Sequence, residues 1–368
     1  MKHALLRHFL LVTVLLLAAH LGWSQGATTA AMSGLISDKT GAGLPGATVQ
    51  ATHTPTGTNY GTATNSDGRF NIQGMRVGGP YTVKISFVGY QDITRDNVYL
   101  TLGQNLRLDQ GLTEAATALS DVTITGRRDP VINAGRTGAA TTVTREQIQN
   151  LPTISRSLQD FTRLTPQASS PPGGGTSVGG SNNRYNNITI DGAVNNDVFG
   201  LAGSGTPGGQ AGTQPIALDA LQEIQVVVAP YDVKLGNFTG GGINAVTRSG
   251  TNDLSASIYG FGTNQSIVGK SVTEPRVKAD EFSNYQAGFR VGGAIKKNKL
   301  FYFVNAELSR RSEPLQFTPS SSSSLFRQSE VDSVASFAQT LGYDAGSTNS
   351  VVRRTESNKI FGRLDWNI

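Results

Sequence analysis

The sequence predicts a mainly β chain: a signal peptide, a small antiparallel β-sandwich, a mixed α/β middle region, and about four strands of an incomplete transmembrane antiparallel β-barrel. Three observations predict it. Of 368 residues only 15% are charged and 44 are glycine, against roughly 25% charged and about 7% glycine in an ordinary soluble domain. The chain opens on an apolar run with basic flanks. Beyond Gly250 the apolar residues occupy every second position through four separate segments, the period of a strand whose two faces meet different surroundings.

Composition also narrows the chemistry. The chain has no cysteine, which excludes disulfides, thiolate metal sites and cysteine nucleophiles. Of four histidines, His3, His8 and His20 lie in the first twenty residues, so a processed chain keeps only His53 for acid–base work. No enzyme activity, cofactor or metal is expected.

Lys2 and Arg7 precede Phe9 to Ala19, an apolar run broken only by Thr13, with Gly22 and Ser24 as small residues before a cleavage point. This pattern predicts a signal peptide over residues 1–24; a spanning helix needs about 20 apolar residues. Lys2 and Arg7 leave with the leader and no acid does, so the net charge falls from +5 to about +3. The basic pairs Arg127/Arg128, Lys296/Lys297, Arg310/Arg311 and Arg353/Arg354 are scattered, and no nucleic-acid partner is expected.

Residues 25–112 alternate short apolar runs with turn signals, among them Asp38 to Gly43, Ser66-Asp67-Gly68 and Gly78-Gly79-Pro80. Phe70 and Ile72 share one strand face, as do Tyr81, Val83, Ile85 and Phe87, which predicts a small sandwich. The order SGLISDKTGAGLPGATVQA, TNSDGRFNI, YTVKISFVGYQ resembles the carboxypeptidase-regulatory-like domain, a prealbumin-like accessory β-sandwich without peptidase ligands.

A linker over residues 113–128 holds one β-rich island, Val122 to Thr125. In residues 129–250, Thr144 to Gln147 spell a capping box ahead of Ile148 and Leu151. Ile154, Leu158 and Phe161 recur at helical spacing, predicting two short helices. Gly- and Asn-rich loops, Ser169 to Asn187 and Asn195 to Thr213, surround a strand at Ile188 to Ile190, and a helix-then-strand run covers Ile216 to Ala229.

Residues 251–368 carry the alternating segments. Leu254, Ala256 and Ile258 oppose Ser255, Ser257 and Tyr259; Tyr285, Ala287, Phe289, Val291 and Ile295 oppose Asn284, Gln286 and Arg290. Leu300 to Leu308 and Ile360 to Ile368 repeat the pattern. Soluble half-buried strands alternate in the same way, and loop lengths decide between the two. A four-residue turn, Lys296 to Lys299, joins the middle pair, whereas the flanking connections are long, an asymmetry of outer-membrane barrels.

LPTISRSLQDFTRLTPQ, RYNNITIDGAVNNDVFGL and ALDALQEIQVVVAPYDVKLGNFTGGGINAVTRSGTN, with the strands after Gly250, resemble a TonB-dependent outer-membrane receptor of the Oar-like subgroup. That resemblance implies a plug (129–250) inside a barrel of about 22 strands, an N-terminal domain in the periplasm, and active uptake driven through the periplasmic partner TonB. It implies contact with outer-membrane lipid and lipopolysaccharide and with an extracellular substrate whose identity is open. Such receptors run several hundred residues longer, so the chain reads as an N-terminal fragment. Its unclosed sheet edges would each leave about ten backbone groups unpaired in hydrocarbon, and a stable pore is not expected from these residues alone. A non-transporting adhesion or signalling protein on the same scaffold is the alternative.

By position, Ser120, Asp121, Val122, Thr123, Ile124 and Thr125 resemble the TonB box, which would bind TonB by β-augmentation; a plain linker is the other reading. Arg184, Tyr185, Asn186, Asn196 and Asp197 are candidate substrate contacts at the plug apex. Arg310, Arg311, Arg353 and Arg354 fall at the predicted extracellular strand ends, where guanidinium forks suit lipid phosphates; solvated loop charge is the favoured explanation. Gly203 to Gly208 spells GxGxxG and Gly175 to Gly179 spells GxSxG, but neither has the strand, helix or base its chemistry requires. Asp191, Asp197 and Asp219 stand apart among glycines and read as turn and cap residues.

Overall fold

The computed structural model describes residues 28–115, 122–125, 139–170, 175–228, 235–236, 238–272, 274, 276–314, 327–346 and 352–367. The signal-peptide segment, Ser120 and Asp121 lie outside the described residues.

The first unit is a sandwich. Its strands are β1 (Ala30–Ser37), β2 (Thr48–His53), β3 (Thr58–Ala63), β4 (Arg69–Met75), β5 (Gly78–Ser86), β6 (Ile93–Leu100), β7 (Asn105–Arg107) and β8 (Gln110–Gly111). One sheet runs β4-β1-β7 with β8 also on β1; the other runs β3-β2-β5-β6 and ends on a short strand, β9 (Val122–Thr125). The alternation read from the sequence is what closes the core. Phe70, Ile72, Tyr81, Val83 and Ile85 are buried with Met32, Ile36 and Val49 between the sheets, and Phe87 packs at the margin. Turn chemistry sets the corners. Asp38 Oδ1 accepts from the amides of Thr40 and Ala42, and Asn65 Oδ1 accepts from Asp67 and Arg69 while Gly68 takes a positive φ of 76°, open to glycine at no steric cost.

The plug is mixed α/β. It comprises β10 (Ala139–Thr144), α1 (Arg145–Asn150), α2 (Leu158–Thr162), β11 (Ala168–Ser169), β12 (Ser177–Val178), β13 (Asn187–Ile190), β14 (Ala193–Val194), β15 (Leu221–Val228) and β16 (Gly241–Thr247). Five of these strands form a sheet in the order β10-β15-β16-β13-β14, with only β13 and β16 parallel. The helix signals were partly legible. Thr144 and Gln147 close a capping box on α1. Ser157, however, starts α2 with its own box to Asp160, so Ile154 lies outside the helix and is exposed. The expected helix before β15 is a single 3-10 turn, Leu218–Ala220.

Four strands follow: β17 (Ser255–Asn264), α3 (Gln265–Val268), β18 (Ser283–Lys296), β19 (Leu300–Pro314), α4 (Gln328–Thr340) and β20 (Val352–Trp366) in chain order with two loop helices. The strands pair in sequence as one antiparallel meander. The last three run 14 to 15 residues, longer than the ten or so expected, and the long connections shrink accordingly. The turn at Lys296–Lys299 closes through Lys299 N to Lys296 O at 3.1 Å. Among the described residues, no helix is long and apolar enough to cross a membrane.

Register makes the two faces of this wall unlike. Ile258 lies opposite Phe289, Phe289 opposite Ala306, and Ala306 opposite Ile360, a row in which Ile258, Phe289 and Ile360 are exposed. Leu254, Tyr285, Ile295, Leu308, Leu364 and Trp366 extend the same exposed apolar face. On the reverse face Phe301, Phe303, Asn305 and Glu307 are buried. An apolar surface of this extent facing outward marks contact with lipid or protein, and a buried reverse face of mixed aromatic and polar residues suits a filled interior.

Candidate functional site

The buried face of the wall is where the plug sits. Phe303 belongs to the plug's own core with Val143, Phe161, Ile188, Leu221 and Ile243, and Phe361 packs at its edge. Around these aromatics lie charged contacts. Arg363 on β20 donates through Nη1 to the carbonyl of Thr247 at 3.0 Å and to its hydroxyl at 2.9 Å. It forms ion pairs with Asp365 at 2.9 Å and Asp191 at 3.6 Å. Asp191 in turn accepts from Thr247 N and Oγ1 at 2.9 and 2.5 Å. The aspartate, at a positive φ of 49° just after β13, ties β13 to β16 and both to the wall.

Higher on the wall, Lys359 and Glu307 pair at 2.8 Å, both largely buried, and Tyr259 donates to Glu307 at 3.1 Å. Arg156, held at a positive φ of 51° where non-glycine residues are uncommon, pairs with Asp219 at 2.6 Å. Its guanidinium lies 3.6 Å from the ring centroid of Phe261, within cation–π range. Burial raises the Asp219 pKa, opposed by the adjacent Arg156 charge. From sequence, Asp191 and Asp219 are named as turn and cap residues and Tyr259 only by its strand face, and none of these plug–wall pairings was expected. Period-two alternation shows which strand positions face inward, not which plug residue each one meets.

The sandwich is fastened to the same end of the wall as the short turn. Leu102 donates its amide to Glu223 Oε1 and accepts at its carbonyl from Gln225 Nε2, both at 2.7 Å and buried. Arg76 reaches Ser249 Oγ at 2.9 Å and Asn367 Oδ1 at 3.1 Å, and Asn367 donates to Thr58 Oγ1 at 2.7 Å. His53 is buried beside this junction, its Nδ1 2.7 Å from Thr56 Oγ1, with its pKa lowered to about 4 by burial and then by the Arg76 charge.

The TonB-box-like island is the edge strand of the sandwich. β9 pairs in parallel with β6, setting Val122 against Ile93, Thr123 against Thr94, Ile124 against Arg95 and Thr125 against Asp96. It ends that sheet, so its other edge carries no strand among the described residues.

The five apex candidates separate into two groups. Asn186 is buried, donating to Thr176 O at 2.7 Å and accepting from Gly241 N at 2.9 Å. Asn196 accepts from Ile188 N at 2.7 Å and donates to Asn187 at 3.0 Å. Asp197 accepts from the amides of Phe199, Leu201 and Ala202, which, led by Ala202, lower its pKa. These three side chains are occupied in building the loops, a role the sequence pattern suggested for Asp197 but not for Asn186 or Asn196. Tyr185 is exposed, and Arg184, also near solvent, spends its Nε on Gly200 O at 2.8 Å. A cavity of about 390 Å³ opens between these loops and the wall, lined by Arg156, Arg163, Arg311 and Lys359 among serine, threonine and glutamine side chains.

The four strand-end arginines divide between the two faces of the wall. Arg311 and Arg353 both pair with Glu313, on the inward face that β19 and β20 share at that level. Glu313 lies opposite Arg353, and Ser312 opposite Arg354, so the neighbouring positions point outward. Arg310 faces outward, donating to Asn358 at 2.8 Å and lying 3.7 Å from Glu356. Arg310 and Arg354 thus occupy the outward positions, and Arg311 and Arg353 the inward ones.

Three family models match in series: the carboxypeptidase regulatory-like domain over residues 31–113, the TonB-dependent receptor plug domain over 134–243, and an outer-membrane β-barrel domain over 246–364. The chain is 27% identical over 256 residues to the TonB-dependent transporter Oar of Myxococcus xanthus, an alignment covering 66% of this chain and 23% of that protein. Among solved structures it is similar to the ferric enterobactin receptor of Pseudomonas aeruginosa, solved with enterobactin, at 16% identity and a TM-score of 0.40, covering 62% of this chain and 30% of that one. It is also similar to the siderophore receptor PirA of Acinetobacter baumannii, at 20% identity and a TM-score of 0.36, covering 47% and 24%. The chain thus spans about a quarter of the length of the curated relative it matches.

Proposed function

We propose, from the premise that this chain is a TonB-dependent outer-membrane receptor with a carboxypeptidase-regulatory-like domain ahead of its plug, that it belongs to an active importer. In that importer it supplies the accessory sandwich (25–112), the coupling segment (113–128), the plug (129–250) and the first wall strands (251–368). The observation that carries this reading is the plug core closing on Phe303 and Phe361 of the wall. A plug seated on the inner face of a membrane wall blocks passage, and import then requires work to loosen it.

Coupling is supplied by TonB acting on β9. A strand already ending a sheet offers an open row of backbone donors and acceptors, and strand addition there gives affinity through main-chain hydrogen bonds. Force on β9 passes through the linker to β10 and so to the plug sheet. The plug's upper loops hold few buried apolar side chains, so little hydrophobic free energy opposes their opening. Tyr185 and Arg184, together with the cationic and hydroxyl-rich cavity between the plug loops and the wall, are the surface offered to substrate, on the side of the long connections. The sandwich, on the side of the short turn, faces the periplasm.

The test is uptake by the full-length receptor in cells with and without protonmotive force, alongside TonB capture by the same protein. Energy-dependent uptake and TonB capture support the reading. Energy-independent accumulation, or surface binding with no TonB capture, overturns it.

A further inference from the structure

A cavity of about 870 Å³ lies where sandwich, plug and wall meet. Five guanidinium groups line it, from Arg76, Arg145, Arg248, Arg290 and Arg363, against two carboxylates, Asp191 and Asp365. Arg363 takes both acids and Arg76 approaches Asp365 at 3.8 Å. Arg145, Arg248 and Arg290 form no ion pair among the described residues. The cavity therefore holds three more cations than anions.

Arg248 is the most constrained of the three. It is 5% exposed, its guanidinium carbon lies 5.5 Å from the centroid of the Phe303 ring, and its Nη1 is buried without a hydrogen-bond partner. The ring attracts the cation but cannot accept its in-plane N–H bonds. Arg290 Nε is likewise buried and unpartnered; with the Gln149 amide turned to present its oxygen, Nη1 and Nη2 reach only that neutral group, at 3.1 and 3.2 Å. Arg145, at the start of α1, is partly buried and feels the Arg290 charge, and both effects lower its pKa.

Removing a cation from water without a counter-charge is strongly unfavourable, and neighbouring cations repel each other as well. Water in the cavity relieves the first problem only in part and leaves the second. A single oxyanion relieves both, because planar guanidinium forks match the paired oxygens of phosphate and carboxylate. We propose that Arg145, Arg248 and Arg290 form an oxyanion site on the sandwich side of the plug, taking a phosphate or carboxylate group. Two sources offer that group: a free inorganic anion, or an anionic group of the imported solute on its way out beneath the plug.

The site is tested on the purified full-length receptor in anion-free buffer, with inorganic phosphate and citrate as probes. Calorimetric titration is expected to show saturable binding of at least one probe, weakened about tenfold or more by Arg248→Met. Thermal unfolding gives a second readout. Arg248→Met is expected to unfold at a higher temperature than wild type without anion, since it removes a buried unpaired charge, and to lose the stabilisation that anion gives wild type. Should that variant misfold, Arg290→Gln reads the same loss of anion response. Wild type that neither binds nor is stabilised by phosphate or citrate would overturn the proposal, as would variants that bind like wild type. Uptake distinguishes the sources. Slower turnover in Arg248→Met with unchanged substrate binding assigns the site to solute in transit, and unchanged uptake with lost phosphate binding assigns it to a resident anion. Because anion binding is measured without uptake, its failure is separate from failure of the transport reading.

Discussion

Arg363 of β20 spans from wall to plug, its Nη1 shared between the carbonyl and the hydroxyl of Thr247 at 3.0 and 2.9 Å. Thr247 is the last residue of β16, where the plug's central strand gives way to the first wall strand. One side chain therefore fixes the end of the plug sheet against the fourth strand of the wall, with Asp191 and Asp365 neutralising it.

Replacing Arg363 by methionine is expected to loosen the plug without dissolving the wall. Hydrogen bonds involving charged groups contribute about 1.5–3 kcal/mol. Amide exchange of the full-length receptor should therefore show protection falling across 241–247 by roughly one to two powers of ten, while 300–308 keeps its protection. Unchanged exchange at 241–247 would mean that Phe303 packing alone holds the plug.

Proline at Val122 or Thr123 removes a ladder donor from β9. TonB capture and energy-dependent uptake by the full-length receptor should both fall, while barrel insertion and substrate binding persist. Uptake equal to wild type would remove β9 from the coupling role. The same strand permits a positional test because the chain has no cysteine. A Thr94→Cys/Thr123→Cys pair, set opposite each other across β6 and β9, should cross-link on mild oxidation.

The sandwich should weaken in acid. His53 keeps its ordinary pKa near 6.5 when unfolded and about 4 when folded. Between those values the unfolded chain binds a proton that the folded one refuses. Stability is thus whole above pH 6.5 and is lost as pH falls toward 4, by up to about 3 kcal/mol, with no further loss from this group below. Exchange protection of the sandwich measured from pH 7 to 4 checks this. A His53→Gln variant should flatten that part of the profile, and an identical slope in the variant would assign the effect to other groups.

Lipopolysaccharide contact, if made by these strand ends, rests on the outward pair. Neutralising Arg310 and Arg354 is expected to reduce lipopolysaccharide co-purifying with the full-length receptor, whereas neutralising Arg311 and Arg353 is expected to leave it unchanged, since both face inward on Glu313. Equal effects from the two pairs would contradict the facing assigned from register.

Much of the architecture could be read from local pattern. The alternation of Tyr285, Phe289 and their neighbours gave the wall its faces, and Phe70, Ile72 and Tyr81 to Ile85 gave the sandwich its core, because strand periodicity is written in adjacent residues. Thr144 and Gln147 likewise announced α1. What could not be read depends on residues far apart in the chain. Arg76 meets Asn367, Arg156 meets Phe261, and Leu102 meets Glu223, contacts that no local signal encodes. Asn186 and Asn196 looked like free polar groups because their partners are mostly backbone amides and carbonyls, which carry no mark in a sequence.

The membrane facing of 285–291 is measured most directly by single spin labels placed in turn along that stretch of the full-length receptor in bilayers. Collision rates with oxygen, which concentrates in hydrocarbon, should be high at 285, 287, 289 and 291 and low at 286, 288 and 290, where the plug seals the strand. Uniform access to a water-soluble relaxant at both sets, or oxygen contact without alternation, would contradict a wall with lipid on one side and plug on the other.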